Sequence, residues 1–135
     1  MLLLDAGVWI AAVDPDDRYH SSSRPLVLDS TLPAVALDLT LYEVANVIGA
    51  RKQQHDLAGR VCRSILERCD EHLVRVDPEL VEAILPVIAE HGLTAYDAAY
   101  VATARRYGWT LVSTDLKDLV NRELALTPDD AVAIG

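Results

Sequence analysis

Short apolar runs separated by helical stretches limit the fold of this chain more than any other feature. The runs are Met1–Leu4, Pro33–Leu37, His72–Val76, Thr110–Val112 and, more weakly, Ala131–Ile134. Strands that are apolar throughout are typical of a parallel sheet covered by helices on both faces, whereas half-exposed strands alternate apolar and polar residues. We therefore predict a parallel strand in each run.

Helical periodicity fills the segments between these runs. The predicted helices are Val8–Val13, Pro25–Leu28, Leu41–Gln54, Leu57–Cys69, Pro78–His91, Ala95–Tyr107 and Leu116–Asn121. The alternation of strands and helices predicts a three-layer α/β/α sandwich with a mainly parallel sheet of four to five strands. A chain of 135 residues suits a single domain, so we predict one domain over residues 1–135.

Charge and apolar content exclude some functions. The chain has 12 Lys and Arg against 21 Asp and Glu, a net charge of −9, so it lacks the generally basic surface that binds nucleic acid by charge alone. Bound cations can still bring nucleic acid to an acidic site. No apolar run is long enough to span a membrane, and no basic leader precedes Leu2. Cys62 and Cys69 lie too far apart on one helix for a disulfide, so we expect a cytoplasmic protein with reduced thiols.

Four acids occupy related places in the predicted fold. Asp5 follows the first strand and Asp115 follows the fourth, while Glu43 and Asp97 lie in the first turns of two helices. Ligands of open parallel sheets bind beyond the carboxyl ends of the strands. We therefore expect Asp5, Glu43 and Asp115 to meet at that edge, with Asp97 joining them if its helix begins there.

Helix capping explains each acid singly. Thr40 with Glu43 and Thr94 with Asp97 both match the capping box, in which the acid satisfies a helix start. Asp5 and Asp115 could each act as an N-cap. Capping does not explain why all four positions carry acids.

Clustered carboxylates repel one another and require a cation. Carboxylate oxygens select Mg²⁺ or Mn²⁺, and no His or Cys set suits zinc. Two such ions about 4 Å apart can activate water and stabilise the leaving oxygen of a phosphodiester. The pattern indicates a metal-dependent nuclease, and without metal at least one carboxyl should have a raised pKa.

Four segments carry a resemblance to a known family. They are Leu3–Ala11 (LLDAGVWIA), Leu41–Ile48 (LYEVANVI), Leu93–Ala102 (LTAYDAAYVA) and Leu111–Leu119 (LVSTDLKDL). In these segments, and from Met1 to about Ala133, the sequence resembles PIN-domain ribonucleases, and more narrowly the toxins of VapBC-type toxin–antitoxin pairs.

The resemblance implies a function and a set of site residues. It implies a Mg²⁺- or Mn²⁺-dependent endoribonuclease whose metal-binding and catalytic acids are Asp5, Glu43, Asp97 and Asp115. It also implies a cognate antitoxin, which we expect to place an Arg or Lys at the acids, and a homodimer, for which Leu41–Ala50 and Leu57–Leu66 offer apolar surface. Asn46 and Ser113 match positions that support the site, whereas Gly7 stands where Ser or Thr is common.

Other interpretations stay open on the sequence. A related DNA nuclease, or a PIN-like RNA-binding or scaffold module with weakened catalysis, would share the fold; a phosphoryl-receiver domain would need an adjacent acidic pair that Asp5-Ala6-Gly7 lacks. Asp118 is interpreted as an exposed helix acid, with outer-shell metal contact as the alternative. Asp14–His20 is interpreted as a solvated loop, with an approach of its acids to the site as the alternative. The tyrosines near the acids are interpreted as packing rather than base-stacking residues; they are Tyr42, Tyr96 and Tyr100.

Overall fold

A three-stranded parallel sheet forms the centre of the protein, whose computed structural model describes residues 1–134. The strands are β1 (Leu2–Leu4), β2 (Ala34–Val35) and β3 (Thr110–Val112), in the order β2-β1-β3. In the central strand, Leu3 pairs with Val35 on one side and with Leu111 on the other. The carboxyl ends of all three strands therefore lie at one edge of the sheet.

Helices connect and cover the strands. The α-helices are α1 (Ala6–Val13), α2 (His20–Leu28), α3 (Asp38–Val44), α4 (His55–Cys69), α5 (Pro78–His91), α6 (Ala95–Tyr107) and α7 (Pro128–Ile134). A π-helical segment, Ala45–Arg51, continues α3, a 3₁₀ turn covers Asp70–His72, and a π-helical turn spans Leu116–Val120.

Alternate strand residues face two separate apolar cores. Leu4 packs with residues of α1, α2, α4 and α7, among them Trp9 and Ile65. Leu3, on the opposite face, packs with residues of α5 and α6, among them Leu80 and Tyr100. Because both faces are covered, the strands are apolar throughout. The predicted α/β/α sandwich is confirmed.

The sheet is smaller than the sequence predicts. The strand predicted at Ala131–Ile134 is wrong, since these residues belong to α7. Thr127 Oγ1 accepts a hydrogen bond from the Asp130 N–H at 3.1 Å, and Pro128 occupies the first helical position, where its missing N–H costs nothing. In the stretch His72–Val76 only Val74 pairs, through a single parallel bridge to Leu37. The sheet therefore has three strands, not four or five.

The two cysteines agree with the sequence prediction of reduced thiols. Cys62 and Cys69 on α4 are both free thiols. Burial raises the pKa of the Cys69 thiol to about 11, so this residue acts as a small apolar side chain of the core. Across residues 1–134, no helix combines the length and the apolar character needed to cross a membrane.

Candidate active site

The adjacent carboxyl ends of β1 and β3 bring the first and last acids together. Asp5 caps α1, with one carboxylate oxygen accepting from the Val8 N–H at 3.3 Å. The buried Ser113 hydroxyl donates to its other oxygen. Ser113 Oγ also accepts a hydrogen bond from the Asp115 N–H at 3.0 Å. Ser113, predicted as a supporting residue, thus links Asp5 to the backbone of Asp115.

The amino end of α6 brings Asp97 to Asp115. Thr94 caps this helix by accepting the Asp97 N–H at 3.2 Å, the predicted half of the capping box. One carboxylate oxygen from each of Asp97, Asp115 and Asp118 lies within 4.8 Å of the other two. The interpretation of Asp118 as an exposed helix acid is therefore incomplete, because this half-buried residue belongs to the acid group. Its N–H donates to Asp115 Oδ1 at 2.9 Å, which turns the short helical segment back toward the other acids.

A directed chain of hydrogen bonds holds Glu43. The capping box expected between Thr40 and Glu43 is wrong, because α3 begins at Asp38 and Thr40 lies inside it. Thr40 Oγ1 instead accepts the Leu37 N–H at 3.2 Å and lies 2.8 Å from the Tyr100 hydroxyl oxygen. The Tyr100 hydroxyl donates to Glu43 Oε1 at 2.7 Å. Because the single hydroxyl proton of Tyr100 goes to Glu43, the Thr40 hydroxyl must donate to Tyr100. The hydrogen bonds therefore run in one direction, from the Leu37 N–H to Glu43.

Burial raises the pKa values of Asp5, Glu43 and Asp97, and repulsion between carboxylates adds to the rise for Asp5 and Asp97. Burial is the main cause for Asp5, whose pKa rises to about 7 although the Ser113 and Val8 hydrogen bonds oppose it, and the charges of Glu43 and Asp97 add to the rise. Burial likewise raises the pKa of Glu43, against the hydrogen bond from Tyr100. These shifts agree with the expectation that acids grouped without a cation favour protonation.

Asp97 has the clearest signature of carboxylate repulsion. Its pKa is raised to about 6, first by desolvation and then by the charges of Asp115, Asp118 and Glu43, in that order. All four predicted acids therefore lie in one electrostatically coupled group at the carboxyl edge of the sheet. Capping and clustering are not alternatives here, because Asp5 and Asp115 each cap a helix and also belong to this group.

Two further positions stand out in the sequence: Asn46, predicted to support the site, and Gly7, which stands where Ser or Thr is common. Asn46 lies exposed on the π-helical segment after Glu43, and its side chain has no hydrogen-bond partner among the described residues; its supporting role stays a prediction. Gly7 faces Thr114, whose Oγ1 would lie 2.2 Å from a Cβ added at Gly7. A hydroxyl from β3's end thus occupies the space that a side chain at position 7 would need.

The polar loop after α1 lies away from the acids. Asp14 follows the carboxyl end of α1, the opposite end from Asp5, and pairs with Lys52 at 3.1 Å. The His20 ring nitrogen Nδ1 bonds to the Ala11 carbonyl at 2.8 Å. The interpretation of Asp14–His20 as a solvated loop therefore holds for the acids but not for its end, because Tyr19 is buried and His20 begins α2.

The donor set fits a hard divalent cation. Carboxylate oxygens make up the site, and the group of Asp97, Asp115 and Asp118 contains no His or Cys. Such oxygen ligands suit Mg²⁺ or Mn²⁺ rather than zinc. A cation would also offset the repulsion that raises the pKa values of Asp5 and Asp97. Among the described residues, Asp97, Asp115 and Asp118 bring carboxylate oxygens close enough together to share one cation.

Comparisons with known proteins show the family of the chain. Residues 2–121 match the family model of the PIN domain. The chain is 30% identical over 118 residues to Ribonuclease VapC3 of Pyrobaculum aerophilum, covering 84% of this chain and 88% of the relative. It is 31% identical over 126 residues to Exonuclease VapC9 of the same organism, covering 92% and 87%.

A solved toxin–antitoxin complex from Klebsiella pneumoniae contains a chain with the same fold. The TM-score is 0.67 at 18% identity, and the match covers 95% of this chain and 98% of that chain. The family match over most of the chain and the two relatives settle its affiliation. The chain belongs to the PIN-domain family and, within it, to the VapC-type toxins of VapBC toxin–antitoxin pairs.

Proposed function

We propose that this protein is a Mg²⁺- or Mn²⁺-dependent endoribonuclease toxin that a cognate antitoxin neutralises. The observation that carries the proposal is the meeting of the acids at one edge of the sheet. Oxygens of Asp97, Asp115 and Asp118 lie within 4.8 Å of one another, and Asp97 is coupled to Glu43. The relative named a ribonuclease supports RNA as the substrate.

The described residues have distinct parts in this chemistry. Asp5, Glu43, Asp97 and Asp115 would hold the cation, which supplies Lewis-acid stabilisation of a phosphodiester and lowers the pKa of water. Ser113 fixes Asp5 by donating to its carboxylate. Tyr100 does the same for Glu43 at 2.7 Å. Both carboxylates are therefore oriented before a substrate arrives, which lowers the reorganisation needed for catalysis.

Cleavage of linear and circular RNA tests the proposal and separates two modes of attack. The purified, partner-free protein is incubated with Mg²⁺, Mn²⁺ or EDTA. We expect cleavage of both RNAs that needs a divalent cation. One relative is named an exonuclease, and cutting of linear RNA alone would contradict the endonuclease assignment. Preferential cutting of single-stranded DNA would contradict the ribonuclease assignment.

Matched substitutions test the acids. Asp97→Asn should abolish cleavage while the fold is kept, because it removes one anionic ligand from a group of three. Asp56→Asn, an exposed acid in the first turn of α4, should leave cleavage unchanged. Full activity of the Asp97→Asn variant, or full activity of the wild-type protein in EDTA, would overturn the metal mechanism.

The antitoxin and the homodimer belong to the same proposal. The net charge of −9 favours a partner that places an Arg or Lys at the acids, where a guanidinium can pair bidentately with carboxylate. Co-purification with each genomic neighbour, followed by inhibition assays, tests the antitoxin. Sedimentation of the antitoxin-free protein tests the dimer, and a single 14.8 kDa species at high micromolar concentration would refute it.

A further inference from the structure

Two exposed tyrosines adjoin the acids in the chain. Tyr42 precedes Glu43 and is 76% exposed, and Tyr96 precedes Asp97 and is 62% exposed. They are the most exposed aromatic residues among positions 1–134, whereas Tyr100 is 2% exposed. The expectation that all three tyrosines pack is therefore correct for Tyr100 and wrong for the other two.

The faces of these two rings are free. The ring of Tyr107 stacks on Trp109 at a centroid distance of 4.5 Å, and Arg18 and Arg106 lie over Tyr19 and Tyr107. Within the described part of the chain, neither Tyr42 nor Tyr96 has such an aromatic or cationic partner. Since both residues are also mostly exposed, much of each ring is open to a ligand.

The hydrogen-bonded contact between α3 and α6 places both rings beside the site. Tyr100 on α6 reaches Glu43 on α3. Tyr96 lies one turn before Tyr100 on the same side of α6, about 6 Å toward the helix start where Asp97 lies. Tyr42 is the neighbour of Glu43 on α3. The backbones of both tyrosines thus lie beside the acid group, and their exposed side chains project from the helix turns that carry Glu43 and Asp97.

The charge of the protein limits how it can bind nucleic acid. Several cations already have partners in the protein: Arg105 pairs with Glu90 at 3.3 Å and Arg106 with Glu79 at 3.0 Å. Arg68 donates to the Leu32 carbonyl at 2.7 Å. With a net charge of −9, phosphate contacts supply less affinity than in a basic protein. Aromatic stacking on bases does not depend on positive charge.

We propose that Tyr42 and Tyr96 form a base-stacking subsite that holds unpaired nucleobases of single-stranded RNA next to the scissile phosphate. This inference rests on the proposed function. A duplex keeps its base faces stacked, so only unpaired nucleotides can present them to the rings. Stacking accepts any base, so the subsite selects for single-strandedness rather than for sequence.

Binding of short fluorescent RNAs tests the subsite. Fluorescence anisotropy is measured with a fluorescein-labelled 12-nucleotide unstructured RNA in Mg²⁺, in an Asp97→Asn background that prevents turnover. Tyr42→Ala and Tyr96→Ala should each weaken binding roughly 5- to 150-fold. Tyr→Phe at either position should stay within about two-fold, because the phenyl ring still stacks. The loss should persist in high salt and should disappear with an abasic oligomer of equal length.

The chain provides a matched control. Tyr107, at the far end of α6, is also exposed, at 44%. Tyr107→Ala should bind RNA as the parent does. In the active background, Tyr42→Ala and Tyr96→Ala should raise KM with kcat little changed, since the rings contact bases rather than the reacting atoms. Thermal melts verify that each variant is folded.

Several outcomes would overturn the inference. Parent-like RNA affinity of both alanine variants would exclude stacking, and equal losses in the Phe and Ala variants would assign the contact to the phenol hydroxyl. Loss of a dimer on sedimentation, with unchanged RNA affinity, would show that a second copy covers the rings. If the wild-type protein cleaves RNA and the variants keep its KM, only this inference fails. If the wild-type protein cleaves no RNA with any divalent cation, the proposed function itself fails.

Discussion

Replacement of the buried Asp5 by Asn should stabilise the metal-free protein at neutral and alkaline pH. The pKa of Asp5 rises from 3.8 to about 7 in the folded protein, mainly because burial disfavours the charged form. At about 1.4 kcal/mol per pKa unit, this difference corresponds to about 4 kcal/mol as an upper limit. Asn keeps an oxygen that can accept from the Val8 N–H and an amide that can donate to Ser113, so the substitution removes mainly the buried charge.

The sign of the pH dependence follows from proton binding. Between pH 3.8 and about 7, folded Asp5 binds more protons than unfolded Asp5. Its contribution to the free energy of unfolding is therefore complete below pH 3.8 and is lost as the pH rises through 7. The difference between Asp5→Asn and wild type should be small near pH 4 and reach its full value at pH 8. Carboxyls outside the acid group change the stability of both proteins alike and cancel in this difference. Glu43 and Asp97 repel the Asp5 charge, so relief of that repulsion in the variant adds to the difference in the same direction.

Chemical denaturation in EDTA between pH 4 and 8 measures this difference. Asp16→Asn, at an exposed position, serves as the control and should follow wild type throughout. Millimolar Mg²⁺ or Mn²⁺ should narrow or reverse the difference, because the cation binds the folded wild type; a concentration of about 100 times Kd would stabilise it by about 2.7 kcal/mol. Lower stability of Asp5→Asn at pH 8 in EDTA would refute the reasoning and identify the carboxylate as a stabilising helix cap.

Three further substitutions probe the surroundings of the acids. Asp97→Asn should melt higher than wild type in EDTA at pH 8, because repulsion and burial raise the pKa of Asp97 to about 6; a clearly lower melting temperature would make Asp97 a structural residue. Gly7→Ala should cost about 1–3 kcal/mol, since its Cβ would lie 2.2 Å from Thr114 Oγ1. In a Thr114→Ala background the same change should stabilise α1 by about 0.5–1 kcal/mol in urea denaturation, and equal effects in both backgrounds would contradict the contact. Tyr100→Phe should weaken Mn²⁺ binding in calorimetry by freeing Glu43, and unchanged affinity would remove Tyr100 from the site.

The strands and their acids could be predicted because local sequence specifies them. Leu2-Leu3-Leu4 and Thr110-Leu111-Val112 are buried on both faces, which produces unbroken apolar runs, and the acid after each run marks the carboxyl end. The helix at Pro128–Ile134 also had a local signal, in the Thr-Pro-Asp-Asp sequence at its start. The apolar residues that follow this signal resemble a strand, which is why the periodicity alone gave the wrong element.

The links between acids could not be predicted, because they join distant parts of the chain. Tyr100 meets Glu43 across 57 positions. The place of Asp118 beside Asp97 depends on the turn after Asp115, where the Asp118 N–H donates to Asp115 Oδ1. Thr40 has the sequence of an N-cap, yet the helix begins earlier and its hydroxyl bonds to a residue 60 positions away. Such contacts depend on tertiary packing and produce no periodic pattern in the sequence.

The pairing of the first strand with the last delays assembly of the site during synthesis. Ser113 and Asp5 are 108 positions apart, and β1 cannot pair with β3 until the ribosome has made the latter. At roughly 5–20 residues per second, synthesis of the intervening chain takes about 5–20 seconds. For most of that interval the nascent chain has Asp5 but neither Asp97 nor Asp115. A ribosome making this toxin therefore carries an incomplete site until translation is nearly finished.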